Sequence, residues 1–232
     1  MLDSYTQRRG EIETYFDRTA AAAWSRLTSD APVSGIRATV RAGRDRMRST
    51  LLSFLPDDLR GCRLLDAGCG TGALAVEAAR RGADVTAVDL SPTLVALARQ
   101  RLPETLGAGR ITFHSGDMLD RRFGTFDHVV AMDSVIHYSL PDTLRMLANL
   151  ARMSRSGVHF TYAPRTPALA AMHTVGKIFP RGDRSPAIVP HAPAALYKAI
   201  STNADLRGWQ LGRNARVTSG FYISHAQELT RA

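Results

Sequence analysis

A run of apolar residues that ends in an acid and then breaks into three glycines, Leu64-Leu65-Asp66-Ala67-Gly68-Cys69-Gly70-Thr71-Gly72, constrains this chain more than any other stretch. Arg63 to Asp66 reads as a buried strand and Ala73 to Arg81 as a helix. The glycines between them remove Cβ atoms where the chain must turn sharply, so main-chain amides and a helix N-terminus can approach a ligand. A strand, a glycine turn and a helix in that order open a doubly wound parallel sheet, whose ligands bind beyond the carboxyl ends of the strands.

The text that follows keeps the alternation. Asp84 to Asp89 is a strand, and the next helix opens with Ser91 as N-cap and Pro92 in its first turn. Ile111 to Phe113, His128 to Met132 and Val158 to Tyr162 are three more strands, with a helix over Pro141 to Met153. Pro164, Pro167, Pro180, Pro186, Pro190 and Pro193 then interrupt the pattern, predicting helices at about 167–179 and 193–203 around a loop. Gly208 to Leu211 and Val217 to His225 read as two last strands, joined by a turn near Gly212 to Asn214. Ahead of the sheet, Ile12, Tyr15, Phe16, Ala20, Ala23, Trp24 and Leu27 recur at helical spacing, in a helix that ends near Ser29 to Pro32. A second helix from about Val33 carries an apolar stripe of Ile36, Val40, Met47 and Leu51. Arg37, Arg41, Arg44 and Arg48 line its other side. The expected fold is α/β: a Rossmann-like, seven-stranded, mostly parallel sheet with helices on both faces and an N-terminal helical lid. Residues 1–60 form the lid, residues 61–232 the ligand-binding domain, and an insert at about 163–205 one wall of the pocket.

The glycine turn alone does not name its ligand, because Gly68, Gly70 and Ala73 also fit the dinucleotide fingerprint. The acids separate the two cases. Asp66 lies where a carboxylate meets the ammonium of a methionine moiety, and where a dinucleotide's pyrophosphate would be repelled. Asp89 closes the second strand 17 residues after Gly72, in place to accept ribose hydroxyls. Asp117, between Gly116 and Met118, is suited to an adenine amino group, with Met118 over the ring. Three acids at three successive strand ends favour S-adenosylmethionine, leaving S-adenosylhomocysteine as product. The expected contacts are Asp66, Gly68, Cys69, Gly70, Gly72, Asp89, Leu90, Asp117, Met118 and Met132.

The acceptor is narrowed by exclusion. A net charge of +9 favours an anionic partner. The fourth strand nevertheless runs into Ala131-Met132-Asp133-Ser134-Val135-Ile136-His137-Tyr138, with neither the Asn/Asp-Pro-Pro-aromatic signature of enzymes that methylate flipped bases nor a Pro-Cys nucleophile. Nucleic acid is therefore disfavoured. Cys62 and Cys69 stand in no metal-binding spacing, so no metal site is expected. The first residues lack the basic start and apolar run of a secretory signal, and no window approaches a membrane span of about 20 apolar residues. A reduced, cytoplasmic setting is expected.

Segments outside the glycine turn carry a more specific likeness: Tyr15-Phe16-Asp17, Trp24, Ile36-Arg37, Arg41-Ala42-Gly43, Met132 to Tyr138, Thr161 to Thr166, Gly176, Phe179-Pro180, His191-Ala192 and Phe221 to Ser224. Over nearly its full length the chain resembles the magnesium-protoporphyrin O-methyltransferases of chlorophyll and bacteriochlorophyll biosynthesis, within the seven-stranded S-adenosylmethionine-dependent class. The resemblance implies methyl transfer to a propionate of magnesium protoporphyrin IX, with a histidine at the His137 position catalytic. It also implies hand-over of the porphyrin by the magnesium chelatase subunit that binds it. Where plant and cyanobacterial members carry a tyrosine after the first helix, this chain has Thr28, so Tyr15 or Tyr138 is expected to substitute. A flat apolar disc with two propionates calls for aromatic walls and a few cations. Tyr15, Arg37, Arg41, Tyr138, Arg165, Lys177 and His191 are the candidates for that side, with Arg37 and Arg41 assigned to the propionate that is not methylated. Lys177 and Arg181 would also suit peripheral contact with an anionic membrane. A propionate has an ordinary pKa of about 4.3, so the nucleophile is already ionised and His137 is expected to orient rather than deprotonate.

Overall fold

The computed structural model describes residues 3–19, 28, 35–165 and 187–232. Helix α1 (Ser4–Thr14) runs into a π-helical turn at Tyr15–Thr19, and α2 spans Ile36–Ser53. Then come β1 (Arg63–Ala67), α3 (Ala73–Arg80), β2 (Asp84–Asp89), α4 (Pro92–Gln100), β3 (Arg110–Ser115), β4 (Phe126–Ala131) and α5 (Leu140–Met153). They are followed by β5 (Ser154–Tyr162), α6 (Pro193–Thr202), β6 (Trp209–Ser219) and β7 (Tyr222–Arg231). The sheet order is β3-β2-β1-β4-β5-β7-β6. β1 to β5 run parallel, and β7 is antiparallel to both its neighbours. The direction of winding reverses between β1 and β4, which opens a crevice beyond their carboxyl ends.

Strand alternation builds two cores. Leu64, Val85, Ala87 and Val130 face one way and pack with Met47 and Leu51 of α2 and Leu74 and Ala78 of α3. Leu65, Val88, Val129 and Ala131 face the other way, against Met146 and Leu147 of α5 and Leu196 of α6. Each fully buried aliphatic side chain contributes about 1.5–3 kcal/mol, so both faces hold the sheet. Asp66 has the parity of Leu64, which sends its carboxylate under α3 at the crevice end. The Ser91 hydroxyl accepts from the Leu94 amide with Pro92 behind it, which fixes where α4 starts.

Two expectations need correction. The first helix ends at Thr14 and passes into the π-turn, a distortion that lets Phe16 turn inward; the rest of the expected stripe, Ala20, Ala23, Trp24 and Leu27, and the helix at 167–179 lie outside the described residues. The last hairpin turns at Gly220 and Phe221, not near Gly212. Residues Gly212 to Asn214 instead form a register shift inside β6, where the Arg213 amide and guanidinium both bind buried Glu228.

Candidate active site

A cavity of about 370 Å³ lies beyond β1 and β4. Its walls are α1, the cationic side of α2, the glycine turn, the ends of β2 and β3, and the segment from β4 to α5. Gly68 sits at φ +86°, and a Cβ there would lie 2.4 Å from the Cβ of Ser134. Only glycine lets the turn and the β4–α5 segment approach so closely.

Asp66 is 1% exposed, and its Oδ2 has no hydrogen-bond partner among the described residues. Burial, reinforced by the charge of Asp89, pushes its pKa up to about 7. A buried carboxylate left unmatched is costly unless a cation completes it, and the ammonium of a methionine moiety is such a cation. Asp89 is held rigidly: Oδ2 accepts from the Gly70 amide at 2.8 Å and Oδ1 from the Ser91 amide at 2.9 Å. Burial raises its pKa while those two amides lower it. Asp117 is gripped by α1, with Oδ1 accepting from the Tyr5 hydroxyl at 2.7 Å and Oδ2 from Arg9 at 2.7 Å. Burial and the neighbouring Asp117 charge push the Tyr5 phenol well up, so it acts as a donor. Leu90, Met118 and Met132 complete the apolar lining together with Cys69. The residues present thus fit S-adenosylmethionine. Gly72 is not in the wall; it caps α3 in the left-handed conformation.

Toward the acceptor side, His137 is 5% exposed, with Nδ1 3.4 Å from the Ala187 carbonyl and its ring edge-on to Phe16. In the neutral ring that contact favours a proton on Nδ1 and an acceptor at Nε2. Tyr138 lies beside it, stacked on Tyr5 at 5.4 Å. Arg41, Arg44 and Arg48 line the cavity from α2. Arg44 pairs with Asp133 at 2.6 Å. Asp133 has φ +54°, the one positive value at a non-glycine residue among those described, a conformation that costs about 1–3 kcal/mol where nothing compensates it. Here the Thr161 hydroxyl accepts from the Asp133 amide at 2.7 Å and donates to its carboxylate at 3.1 Å, and the Tyr222 hydroxyl donates to the same carboxylate.

Several candidates fall elsewhere. Arg37 points into solvent, one turn short of the cavity, so of the two arginines named for the distal propionate only Arg41 reaches the wall. Tyr15 packs edge-on against Phe16, and it is Phe16 that faces the cavity. Arg165 is exposed. His191 is buried away from the cavity with its ring 3.3 Å from the Thr143 hydroxyl, held there by the bridge between Pro164 and His191. Lys177 lies outside the described residues. Thr28 is in the wall, and its hydroxyl accepts from Arg101 at 2.9 Å. Nothing in the sequence singles out Tyr5 or Arg9, and Arg44, Asp133, Ser134 and Tyr222 stand in recognisable segments that give none of them a role. Among the described residues no group of three or more His, Cys, Asp and Glu is placed to hold a metal, and no helix is long and apolar enough to cross a membrane.

A doubly wound sheet with an inverted seventh strand, and acids at the ends of β1, β2 and β3 around a glycine turn, define an S-adenosylmethionine-dependent methyltransferase. The comparisons carry this further. The chain is 51% identical over 229 residues to the magnesium-protoporphyrin O-methyltransferase of Rhodobacter capsulatus, covering 98% of this chain and 99% of that protein. It is 29% identical to the Synechocystis enzyme of the same name, over 95% of each chain. Residues 131–231 match the model of the magnesium-protoporphyrin IX methyltransferase C-terminus, and residues 64–157 match that of a methyltransferase domain. The crystal structure of the Synechocystis magnesium protoporphyrin IX methyltransferase with bound S-adenosylhomocysteine superposes with a TM-score of 0.80 at 28% identity, covering 97% of this chain and 100% of that one. The chain belongs to the magnesium-protoporphyrin O-methyltransferase family.

Proposed function

We propose that this protein methylates one propionate of magnesium protoporphyrin IX, using S-adenosylmethionine, to give the monomethyl ester and S-adenosylhomocysteine. One observation carries the reading: a single cavity joins an end lined by Asp66, Asp89 and Asp117 to an end lined by His137, Tyr138 and the α2 arginines. The first end suits a cationic nucleoside, the second an anionic aromatic acceptor. S-adenosylmethionine, when bound, supplies a methyl group on sulfonium sulfur. Asp66 would hold the ammonium of its methionine moiety, Asp89 would orient the ribose, and Asp117 with Met118 would frame the adenine.

The acceptor carboxylate is ionised at neutral pH, so the chain has no strong base to generate. Its task is to strip water from one carboxylate oxygen and hold that oxygen facing the methyl donor. Tyr138, Phe16 and Met132 supply the dry apolar wall. With Nδ1–H on the Ala187 carbonyl, His137 orients the oxygen in the form that also carries a proton on Nε2, which donates to the carboxylate, and Arg41 draws the anionic face of the porphyrin inward. The described parts of residues 1–60, α1 and the cationic side of α2, act as the lid over the cavity of the domain at 61–232. The cationic surface serves a transient hand-over from the porphyrin-binding chelatase subunit and peripheral contact with an anionic membrane; full recovery in a low-salt soluble fraction would argue against the latter.

An acceptor panel tests the reading. Purified protein with S-adenosylmethionine should esterify magnesium protoporphyrin IX and leave a catechol-type quinone precursor unchanged. The reverse selectivity would assign the chain to phenol chemistry, for which a base is needed.

A further inference from the structure

Arg41, Arg44 and Arg48 share one side of α2, but they are held differently. Arg48 pairs within its own helix, with Asp45 at 3.0 Å. Arg44 reaches across the cavity rim to Asp133, whose carboxylate is already fixed by the Tyr222 hydroxyl at 3.1 and 3.2 Å and by Thr161. Helix α2, the segment that follows β4, and strands β5 and β7 thus meet around one ion pair, with only 23% of the Arg44 side chain and 8% of the Asp133 side chain exposed. The depth of Arg44 is set one residue earlier. A Cβ at Gly43 would lie 2.6 Å from the Tyr222 ring, so a larger residue there would lift α2 off β7. Glycine in mid-helix lowers helix propensity. Here it brings Arg44 within reach of Asp133.

Such a pair is unsuited to attract charge at long range, because its own charges cancel. It is suited to hold a planar guanidinium in one orientation at the cavity wall, the condition for two-point recognition of a carboxylate. The reacting carboxylate must keep an oxygen lone pair available, and a tight arginine grip would blunt it. The second carboxylate of the substrate has no such constraint. Asp133 lies four residues before His137 on one short segment, so the distance from the orienting pair to the reacting end is fixed by local chain geometry.

Resting on the porphyrin reading above, we infer that Arg44, oriented by Asp133, anchors the propionate that is not methylated and so makes the enzyme select a dicarboxylic porphyrin. Arg44 is a binding residue and Asp133 its positioning residue.

The test compares binding of magnesium protoporphyrin IX, its monomethyl ester and its dimethyl ester by fluorescence quenching. The wild type, R44Q, R44K and D133N are measured, with S-adenosylhomocysteine affinity and Tm recorded for each. In the wild type the diacid should bind about 10–100-fold more tightly than the dimethyl ester, the range expected for hydrogen bonds to a charged group. In R44Q that ratio should fall to within about threefold, and in R44K it should lie between. D133N should give a diacid-to-dimethyl-ester ratio between those of the wild type and R44Q, with a lower kcat, since the cation is retained but misaimed. A ratio unchanged in both R44Q and R44K would overturn the assignment, whatever their Tm. Equal losses of porphyrin and S-adenosylhomocysteine affinity in step with Tm, at constant ratio, would reduce the pair to a structural tie and overturn it too. A wild type that binds none of the three porphyrins would instead refute the functional reading itself.

Discussion

Replacing Asp66 by Asn should make the cofactor-free protein more stable, and more so at alkaline than at acid pH. The carboxyl is buried, has no partner on Oδ2 among the described residues, and has its pKa raised to about 7 from 3.8. A carboxyl with a raised native pKa favours the protonated form, so the native state binds more protons than the unfolded one and loses stability as pH rises through that interval. At 1.36 kcal/mol per pKa unit, the penalty is about 4 kcal/mol at pH 8 and about 2 kcal/mol at pH 5. Asn removes it at both values, and any cost of burying its amide is common to both and cancels in the comparison. The excess stabilisation at pH 8 is therefore about 2–3 kcal/mol, or about 5–10 °C in Tm for a domain of this length. Differential scanning calorimetry of wild type and D66N without cofactor, at pH 5 and pH 8, measures it directly. A Tm difference that is equal at both values, or larger at pH 5, would refute the reasoning. The same variant should bind S-adenosylmethionine about 10–100-fold more weakly, since a charge-assisted hydrogen bond is lost.

Wild-type affinity for S-adenosylmethionine should fall about tenfold per unit below pH 7, because binding the cation requires Asp66 to release its proton; isothermal calorimetry in buffers of different ionisation heat should detect that proton. For His137→Ala, kcat should drop by less than about a hundredfold, and a loss beyond about ten-thousandfold would make the histidine an obligatory base. Asp117→Asn should speed S-adenosylhomocysteine release in stopped-flow, and adding Arg9→Gln should bring little further acceleration, because Arg9 acts through Asp117.

The features legible in the sequence were those set by local chemistry. The glycine turn, the strand-end acids, the Ser91 cap and the alternation of β1 to β5 depend on neighbours a few residues away. What escaped depends on tertiary approach. Tyr5 meets Asp117 across 112 residues, and nothing in the spacing of either announces it. The arginine stripe was visible as a period, but its four members look alike until the left-handed backbone at Asp133 turns a carboxylate toward Arg44 and leaves Arg37 in solvent. His191 reads as a polar residue in a proline-rich segment, and only the bridge to Pro164 shows that it faces Thr143. Gly212 resembles a turn residue, whereas the register of β6 against β7 uses that site to accommodate Glu228 and the hairpin turns at Gly220.

The central claim is methyl transfer to a porphyrin propionate, and mass spectrometry tests it most directly. Protein, magnesium protoporphyrin IX and S-adenosylmethionine labelled in its methyl group should yield a monomethyl ester carrying one labelled methyl, with one S-adenosylhomocysteine formed per ester. Absence of the ester from protein that still binds S-adenosylmethionine, or label found anywhere but on a propionate, would contradict the account.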